Sequence, residues 1–150
     1  MRLARLAVLA TVAALTIGAC GSSGAGSSSS VSVSAGPTAS AAPSNGAEVD
    51  ATEFAAALKR TGTVVVDVRT PEEFAAGHLP GAVLIDVQAP DFADRIAELD
   101  PAVPYAVYCR SANRSAVAVD LMVDAGFTST YHLAGGIQAW QDAGGEVVAD

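Results

Sequence analysis

Residues 105–115 read YAVYCRSANRS, and they are the clearest indication of the fold class in the sequence. Its first four residues form an apolar and aromatic run, which is typical of a strand buried on both faces. A short polar loop then leads into a helical pattern at about 114–125 that stops at Gly126. Because a strand, a short loop and a helix form the repeating unit of parallel sheets, the stretch predicts an α/β domain.

The same alternation continues on both sides of this unit. Strands are predicted at 63–68, 82–87, 105–108 and 130–133, and helices begin near 50, 71, 92, 114 and 137. Thr70, Pro71 and Glu73 form a capping box with proline at the first helical position. Residues 47–150 are therefore expected to form an α/β domain with a mainly parallel central sheet flanked by helices.

The N-terminus has the pattern of an export signal. Arg2 and Arg5 precede an uncharged run at 6–17, which is shorter than the roughly 20 residues of a membrane span. The tetrapeptide IGAC at 17–20 resembles the bacterial lipobox, which implies cleavage before Cys20 and lipid attachment to its sulfur. We therefore expect a lipoprotein anchored to a membrane on the extracytoplasmic side of a bacterial cell envelope, with an ordinary signal peptide as the alternative.

A segment rich in serine and glycine follows the signal. Residues 21–46 contain ten Ser, five Gly and two Pro and no charged residue. Such a composition offers too little bulky apolar surface to offset the entropy of ordering. The predicted organisation is a signal peptide at 1–19, a lipidated Cys20 with a flexible linker at 20–46, and one domain at 47–150.

Charge and cysteine content exclude several classes of protein. The net charge is −8, and removal of the signal takes away two arginines and no acid, which makes it −10. No nucleic-acid partner is expected, because the basic footprint of such proteins is absent. Two cysteines exclude a disulfide-dense scaffold and a four-thiolate zinc site. His132 has no partner motif for metal binding, so neither a metal nor a cofactor is predicted.

Cys109 is the candidate nucleophile. It lies at the C-terminal end of a predicted strand, where parallel sheets bind ligands, and the following helix directs its positive dipole end at the loop. Backbone N–H groups, Arg110 and Arg114 add further positive potential. We expect an exposed thiolate of lowered pKa that attacks an electrophilic sulfur, phosphorus or arsenic centre. The alternative is a buried cysteine that merely ends a strand.

Four segments resemble the rhodanese family in order and spacing, over roughly residues 48–150. They are VDVRTPEEF at 66–74, GHLPGA at 77–82, CRSANRS at 109–115 and LAGGIQAW at 133–140. The resemblance implies a rhodanese-like three-layer domain in its single-domain form.

The resemblance also implies sulfur transfer. Cys109 would take sulfane sulfur from a small anionic donor such as thiosulfate, and a thiol or cyanide acceptor would remove it from the persulfide by ping-pong kinetics. A protein could also accept the sulfur, since the domain has no second thiol. The loop residues that would bind substrate and stabilise the sulfur are Arg110, Ser111, Ala112, Asn113, Arg114 and Ser115. Among these, Arg110 would guide the donor and Arg114 would pin the loop.

Two further functions use the same loop. One is a non-catalytic module that carries sulfur or binds a partner at the membrane surface. The other is arsenate or phosphate chemistry, which the loop length disfavours: six residues run from Cys109 to Arg114, whereas phosphatases of this fold have seven. Ala112 stands where many relatives have glycine, so the loop would be strained if that position needs a positive φ.

The other polar residues of the matching segments are predicted to support the structure. Asp67 and Arg69 are expected to form an ion pair or loop hydrogen bonds, Glu73 to cap a helix, and His78 to hydrogen-bond within a loop. The side chains expected to pack in the core are Tyr105, Tyr108, Ile137 and Trp140.

Overall fold

The structure, a computed structural model, describes Val33 and residues 36–149. Strands and helices alternate along the chain. The strands are β1 (Ala47–Val49), β2 (Val64–Asp67), β3 (Val83–Leu84), β4 (Tyr105–Tyr108) and β5 (Thr130–Leu133). The helices are α1 (Ala51–Leu58), α2 (Pro71–Ala75), α3 (Phe92–Ala97), α4 (Asn113–Asp124) and α5 (Gly136–Asp142).

The five strands form one sheet in the order β1-β5-β4-β2-β3, and each neighbouring pair is parallel. The predicted α/β fold with a mainly parallel central sheet flanked by helices is confirmed. β4 occupies the middle of the sheet, between β2 and β5. Cys109 therefore follows the central strand, at the edge of the sheet where the carboxyl ends of the strands meet.

Each face of the sheet carries its own apolar core. On one face, α1 and α5 pack Phe54, Ile137 and Trp140 against the sheet. On the other face, α3 and α4 supply the side chains that cover β2 and β4. Because side chains alternate along a strand, Tyr108 joins the first core, whereas Tyr105 and Cys109 join the second. The predicted core positions of Tyr105, Tyr108, Ile137 and Trp140 are confirmed.

Sequence and structure agree best at the centre of the sheet. The strands predicted at 105–108 and 130–133 have the bounds of β4 and β5. The strand predicted at 82–87 shortens to two residues, because β3 lies at the edge of the sheet and the Asp86 side chain turns the chain by accepting from the Gln88 N–H. β1 was missed, since its three residues run directly into the helix cap at Asp50.

Residues 36–46, which the composition assigns to the linker, contact the domain. The Asn45 side chain accepts from the Thr130 N–H at 2.8 Å and donates to the Phe127 carbonyl at 2.9 Å. The Gly46 N–H donates to the Thr130 carbonyl, and the Ala39 N–H to that of Ala56. The predicted signal peptide and Cys20 lie outside the described residues. Among the helices that the structure describes, none is long and apolar enough to cross a membrane.

Candidate active site

The sulfur of Cys109 lies at the N-terminus of α4. The N-cap residue of that helix is Ala112, which has no side chain able to accept from the first helical N–H groups. The sulfur takes this role instead, since it accepts hydrogen bonds from the backbone N–H groups of Ser111, Arg114 and Ser115. Arg114 and Ser115 are the second and third helical residues, whose N–H groups a capping side chain normally binds.

The hydroxyl of Ser115 completes the shell around the sulfur. Ser115 Oγ donates towards Cys109 Sγ at 3.6 Å and also lies 2.9 Å from the Ala112 carbonyl oxygen. Burial raises the pKa of Cys109, but the Ser115 hydroxyl and the three backbone N–H groups outweigh it and bring the pKa below the ordinary thiol value. The site therefore favours a thiolate, the form that acts as a nucleophile.

The expectation of an exposed thiol is wrong, because Cys109 is only 1% exposed. The alternation along β4 directs its side chain to the α4 face of the sheet, the face on which Val107 is buried. The helix N-terminus then covers the sulfur. Despite this burial, Cys109 differs from an inert core cysteine, because its sulfur is surrounded by hydrogen-bond donors.

Arg114 joins the Cys109 loop to helix α2. Its guanidinium forms a two-pronged ion pair with Glu73, with N–O distances of 2.6 and 2.8 Å, and lies 3.5 Å from Gln88 Oε1. Its charge also interacts with Cys109. Arg114 therefore contributes positive potential and holds the loop, whereas Arg110, Ser111 and Asn113 are exposed on the outer side of the loop.

Ala112 has a φ of +81° and is the one non-glycine residue in the described part of the chain with a positive φ. The left-handed conformation costs an L-residue about 1–2 kcal/mol. The loop does need a positive φ at this position, so the strain expected for alanine is present. This backbone turn directs the N–H groups of Ser111, Arg114 and Ser115 at the sulfur.

The comparisons with known proteins agree with this geometry. A family model described as "Rhodanese-like domain" matches residues 50–143. The chain belongs to the rhodanese-like domain family. The thiosulfate sulfurtransferases GlpE of Pseudomonas entomophila and Pseudomonas fluorescens are 39% and 42% identical to it over 89 and 90 residues, and each match covers 59% of this chain and 80% of the relative.

Solved structures show the same family. The crystal structure of a rhodanese-related protein from Thermoplasma volcanium has a TM-score of 0.62 and 29% identity, and the match covers 69% of this chain and 99% of that one. The resemblance that the four sequence segments carry is confirmed. The rhodanese-like chain is thus an enzyme of the sulfurtransferase class.

Asp67 and Arg69 form the expected ion pair in the rhodanese-like domain. Arg69 Nη2 lies 2.6 Å from Asp67 Oδ2, donates to the Gly77 carbonyl at 2.7 Å, and the guanidinium lies 5.6 Å from the centre of the Tyr108 ring. Burial disfavours the charged guanidinium, but the hydrogen bonds and charge of Asp67 outweigh it and raise the pKa of Arg69. The pair joins the segment at 77–82 to β2, because Arg69 bonds both Asp67 of β2 and the Gly77 carbonyl.

His78 has the predicted loop role. Its Nδ1 lies 3.0 Å from the Phe74 carbonyl oxygen, its ring stacks on the Phe74 ring at 3.7 Å, and its backbone pairs with Val148. Glu73 completes the capping box with Thr70 as predicted. Among the four residues assigned to structural support, Glu73 reaches the active-site loop through Arg114.

The role of Gly136 was not predicted from the sequence. The N-terminus of α5 lies against the Cys109 loop, where the Ile137 N–H donates to the Cys109 carbonyl at 2.8 Å. A Cβ on Gly136 would lie 2.4 Å from the Cys109 carbonyl oxygen and 2.5 Å from the Arg110 carbonyl carbon. The adjacent glycines before a helix were the available signal, since they often mark a close approach of two backbones.

His132 is a second residue whose surroundings the sequence did not predict. It is buried at 6% exposure, and its Nδ1 lies 3.5 Å from Ser115 Oγ and 3.9 Å from Glu48 Oε2. Burial lowers the pKa of His132, although the charges of Glu48 and Asp120 oppose that effect. Burial thus favours the neutral ring. The Ser115 side chain lies between this ring and the Cys109 sulfur.

The Glu73–Arg114 pair makes stability depend on pH. Hydrogen bonds from Arg114 lower the pKa of Glu73 from 4.5 to about 2. The stabilisation is therefore complete above about pH 4.5 and is lost as the pH falls towards 2. The Glu73 side chain is 29% exposed, so solvent screens the ion pair. We therefore expect Glu73→Gln to lower the free energy of unfolding by about 1–2 kcal/mol at pH 7.

Urea unfolding of both proteins between pH 7 and 2 measures this difference. The difference in the free energy of unfolding between the two proteins should shrink steadily below pH 4.5, since protonated Glu73 resembles Gln. The exposed Glu98→Gln is the matched control, with an expected change within about 0.5 kcal/mol. A Glu73→Gln difference that stays constant down to pH 2 contradicts the prediction.

Proposed function

We propose that this rhodanese-like domain transfers sulfane sulfur from thiosulfate or a similar small anionic donor through a persulfide on Cys109. The observation that carries the proposal is the sulfur held by the Ser115 hydroxyl and three backbone N–H groups at the start of α4. The GlpE relatives, named thiosulfate sulfurtransferases, support thiosulfate as the donor.

The proposed reaction has two displacements. In the first, the Cys109 thiolate attacks the outer sulfur of thiosulfate, the S–S bond of the donor breaks, and sulfite leaves with the bonding electron pair. Cys109 is then a persulfide whose terminal sulfur carries the negative charge. The N–H groups that stabilise the thiolate are suited to stabilise this anion as well, in the manner of an oxyanion hole.

In the second displacement, cyanide or a thiolate attacks the terminal sulfur. The new bond forms as the S–S bond of the persulfide breaks, and the Cys109 thiolate is restored as the leaving group. Neither half needs a general base, because the nucleophile is already ionised. Arg110, exposed at the outer side of the loop, is suited to attract the anionic donor.

Steady-state kinetics test the proposal. Initial rates with thiosulfate and cyanide varied together should give parallel double-reciprocal lines, as ping-pong kinetics require. Intersecting lines contradict the double displacement. A protein that becomes loaded with sulfur but shows no turnover with cyanide or small thiols supports the sulfur-carrier alternative, and activity with arsenate and an added thiol supports the arsenate alternative.

We propose further that lipid on Cys20 anchors the enzyme to an extracytoplasmic membrane surface. The support is the run of residues 6–19, which ends in the lipobox-like sequence before Cys20. Two or more acyl chains would give stable attachment. Expression in bacteria fed an alkyne fatty acid should label the protein, and Cys20→Ala should remove the label. An unlabelled wild-type protein contradicts the anchor.

A further inference from the structure

Three polar side chains lead from the surface to the nucleophile. Glu48 is 57% exposed, His132 is buried beside it, and Ser115 is fully buried against Cys109. The sheet register explains their alignment, because Glu48 of β1 and Val107 of β4 both pair with His132 of β5. Paired residues of parallel strands point to the same face, so Glu48 and His132 lie with Val107 on the side of the sheet that α4 covers, where Ser115 lies in the first turn of that helix.

The hydroxyl of Ser115 has one proton and three neighbours that can accept it. They are Cys109 Sγ at 3.6 Å, the Ala112 carbonyl oxygen at 2.9 Å and His132 Nδ1 at 3.5 Å. The thiolate and the carbonyl oxygen only accept, whereas an imidazole nitrogen either donates or accepts. The position of the imidazole proton therefore decides whether His132 competes with the sulfur for the Ser115 proton or leaves that proton free.

Glu48 favours the arrangement in which His132 donates. Its carboxylate oxygen lies 3.9 Å from Nδ1, the same nitrogen that faces Ser115. A negative charge beside Nδ1 stabilises a proton on that nitrogen by electrostatic attraction. A proton on Nδ1 then donates to Ser115 Oγ and makes the hydroxyl a better donor to the sulfur.

We propose that His132 is a positioning residue for the sulfur-transfer nucleophile: it keeps a proton on Nδ1, donates to Ser115 Oγ, and so does not accept the Ser115 proton, which is left to Cys109 Sγ and the Ala112 carbonyl oxygen. The inference rests on the proposed function, in which the Cys109 thiolate is the attacking group. The charged groups that face His132 are Glu48 from β1 and Asp120 from α4, with the Cys109 thiolate beyond Ser115.

The ionisation of Cys109 tests the inference without a sulfur donor. The rate of its alkylation by iodoacetamide, followed by peptide mass spectrometry at Cys109 across a range of pH, reports the thiol pKa. We expect His132→Leu to raise that pKa by about half a unit, which is a roughly threefold loss of thiolate at a pH below both values. His132→Asn should restore most of the thiolate, because the asparagine amide N–H lies near the position of the histidine Nδ1.

A double substitution separates positioning from a general structural effect. If His132 acts through Ser115, His132→Leu adds no further shift in a Ser115→Ala background. An equal shift in both backgrounds, or no shift in either, overturns the inference. Glu48→Gln is an independent variant at an exposed position, and we expect a smaller rise in the same direction. If His132→Leu does not fold, the thiol pKa of Glu48→Gln is measured with and without Ser115→Ala, and the same outcomes support or overturn the inference.

The outcomes also distinguish this inference from the proposed function. A pKa shift in His132→Leu, together with no sulfur transfer by the wild type, refutes the function and keeps the positioning role. Sulfur transfer by the wild type, together with an unshifted thiol pKa in all variants, supports the proposed function and refutes the positioning role of His132.

Discussion

Replacement of Cys109 by serine is expected to lower kcat/KM for thiosulfate-dependent sulfur transfer by at least about 10⁴-fold. Serine has nearly the same shape, and its oxygen can still accept from the N–H groups at the start of α4, so the loop should keep its conformation. The hydroxyl is not ionised at neutral pH and cannot form a persulfide. The loss therefore reports chemistry rather than folding.

Cys20→Ser is the matched control for this substitution. It removes the other cysteine of the chain, and the purified protein should keep its rate of sulfur transfer. Comparable thermal unfolding of the two variants and the wild type establishes that both are folded. Activity of Cys109→Ser within tenfold of the wild type contradicts the assignment of the nucleophile.

Gly136→Ala is expected to disrupt the active-site loop from outside it. The added Cβ would lie 2.4 Å from the Cys109 carbonyl oxygen, and the residue has a φ of +60°. Two rigid backbone segments must separate to relieve such a contact. We expect a loss of at least about 3 kcal/mol in the free energy of unfolding. Sulfur transfer should fall by about 100-fold or more, since small displacements of catalytic groups have effects of this size.

Gly62→Ala separates backbone strain from the collision. Gly62 also has a positive φ, of +86°, but a Cβ there meets nothing within 4 Å. We expect it to cost about 1–2 kcal/mol and to leave the activity unchanged. Urea unfolding and the thiosulfate assay on both variants measure the difference. Equal effects on stability, or full activity of Gly136→Ala, would show that the α5 contact does not shape the loop.

The centre of the fold was predictable because its signals are local. β4 is a short apolar and aromatic run, β4 and β5 are both buried along their whole length, and the loop after β4 is polar, unlike the strand before it. Elements at the edges of the sheet were harder. β3 pairs with β2 over two residues, so the strand predicted at 82–87 is longer than the strand observed. β1 is three residues long, and the strong helix cap at Asp50 obscured it.

The partners of the nucleophile could not be predicted in the same way. Glu73 and Arg114 are 41 residues apart, and their ion pair exists only because α2 and the Cys109 loop meet above the same edge of the sheet. The burial of Cys109 depends on which face of β4 it continues. His132 did leave a signal, since it is the polar residue between Tyr131 and Leu133 in a buried strand and so points to the opposite face from them.

The mass of the Cys109 peptide after incubation with thiosulfate shows whether this residue takes up sulfur from the donor. The protein is treated with thiosulfate, freed of excess donor, digested without reductant and examined by mass spectrometry, with a second sample exposed to cyanide before digestion. We expect the peptide to gain the mass of one sulfur atom at Cys109 and cyanide to remove that sulfur as thiocyanate. A peptide of unchanged mass, or a sulfur that cyanide does not remove, contradicts this expectation.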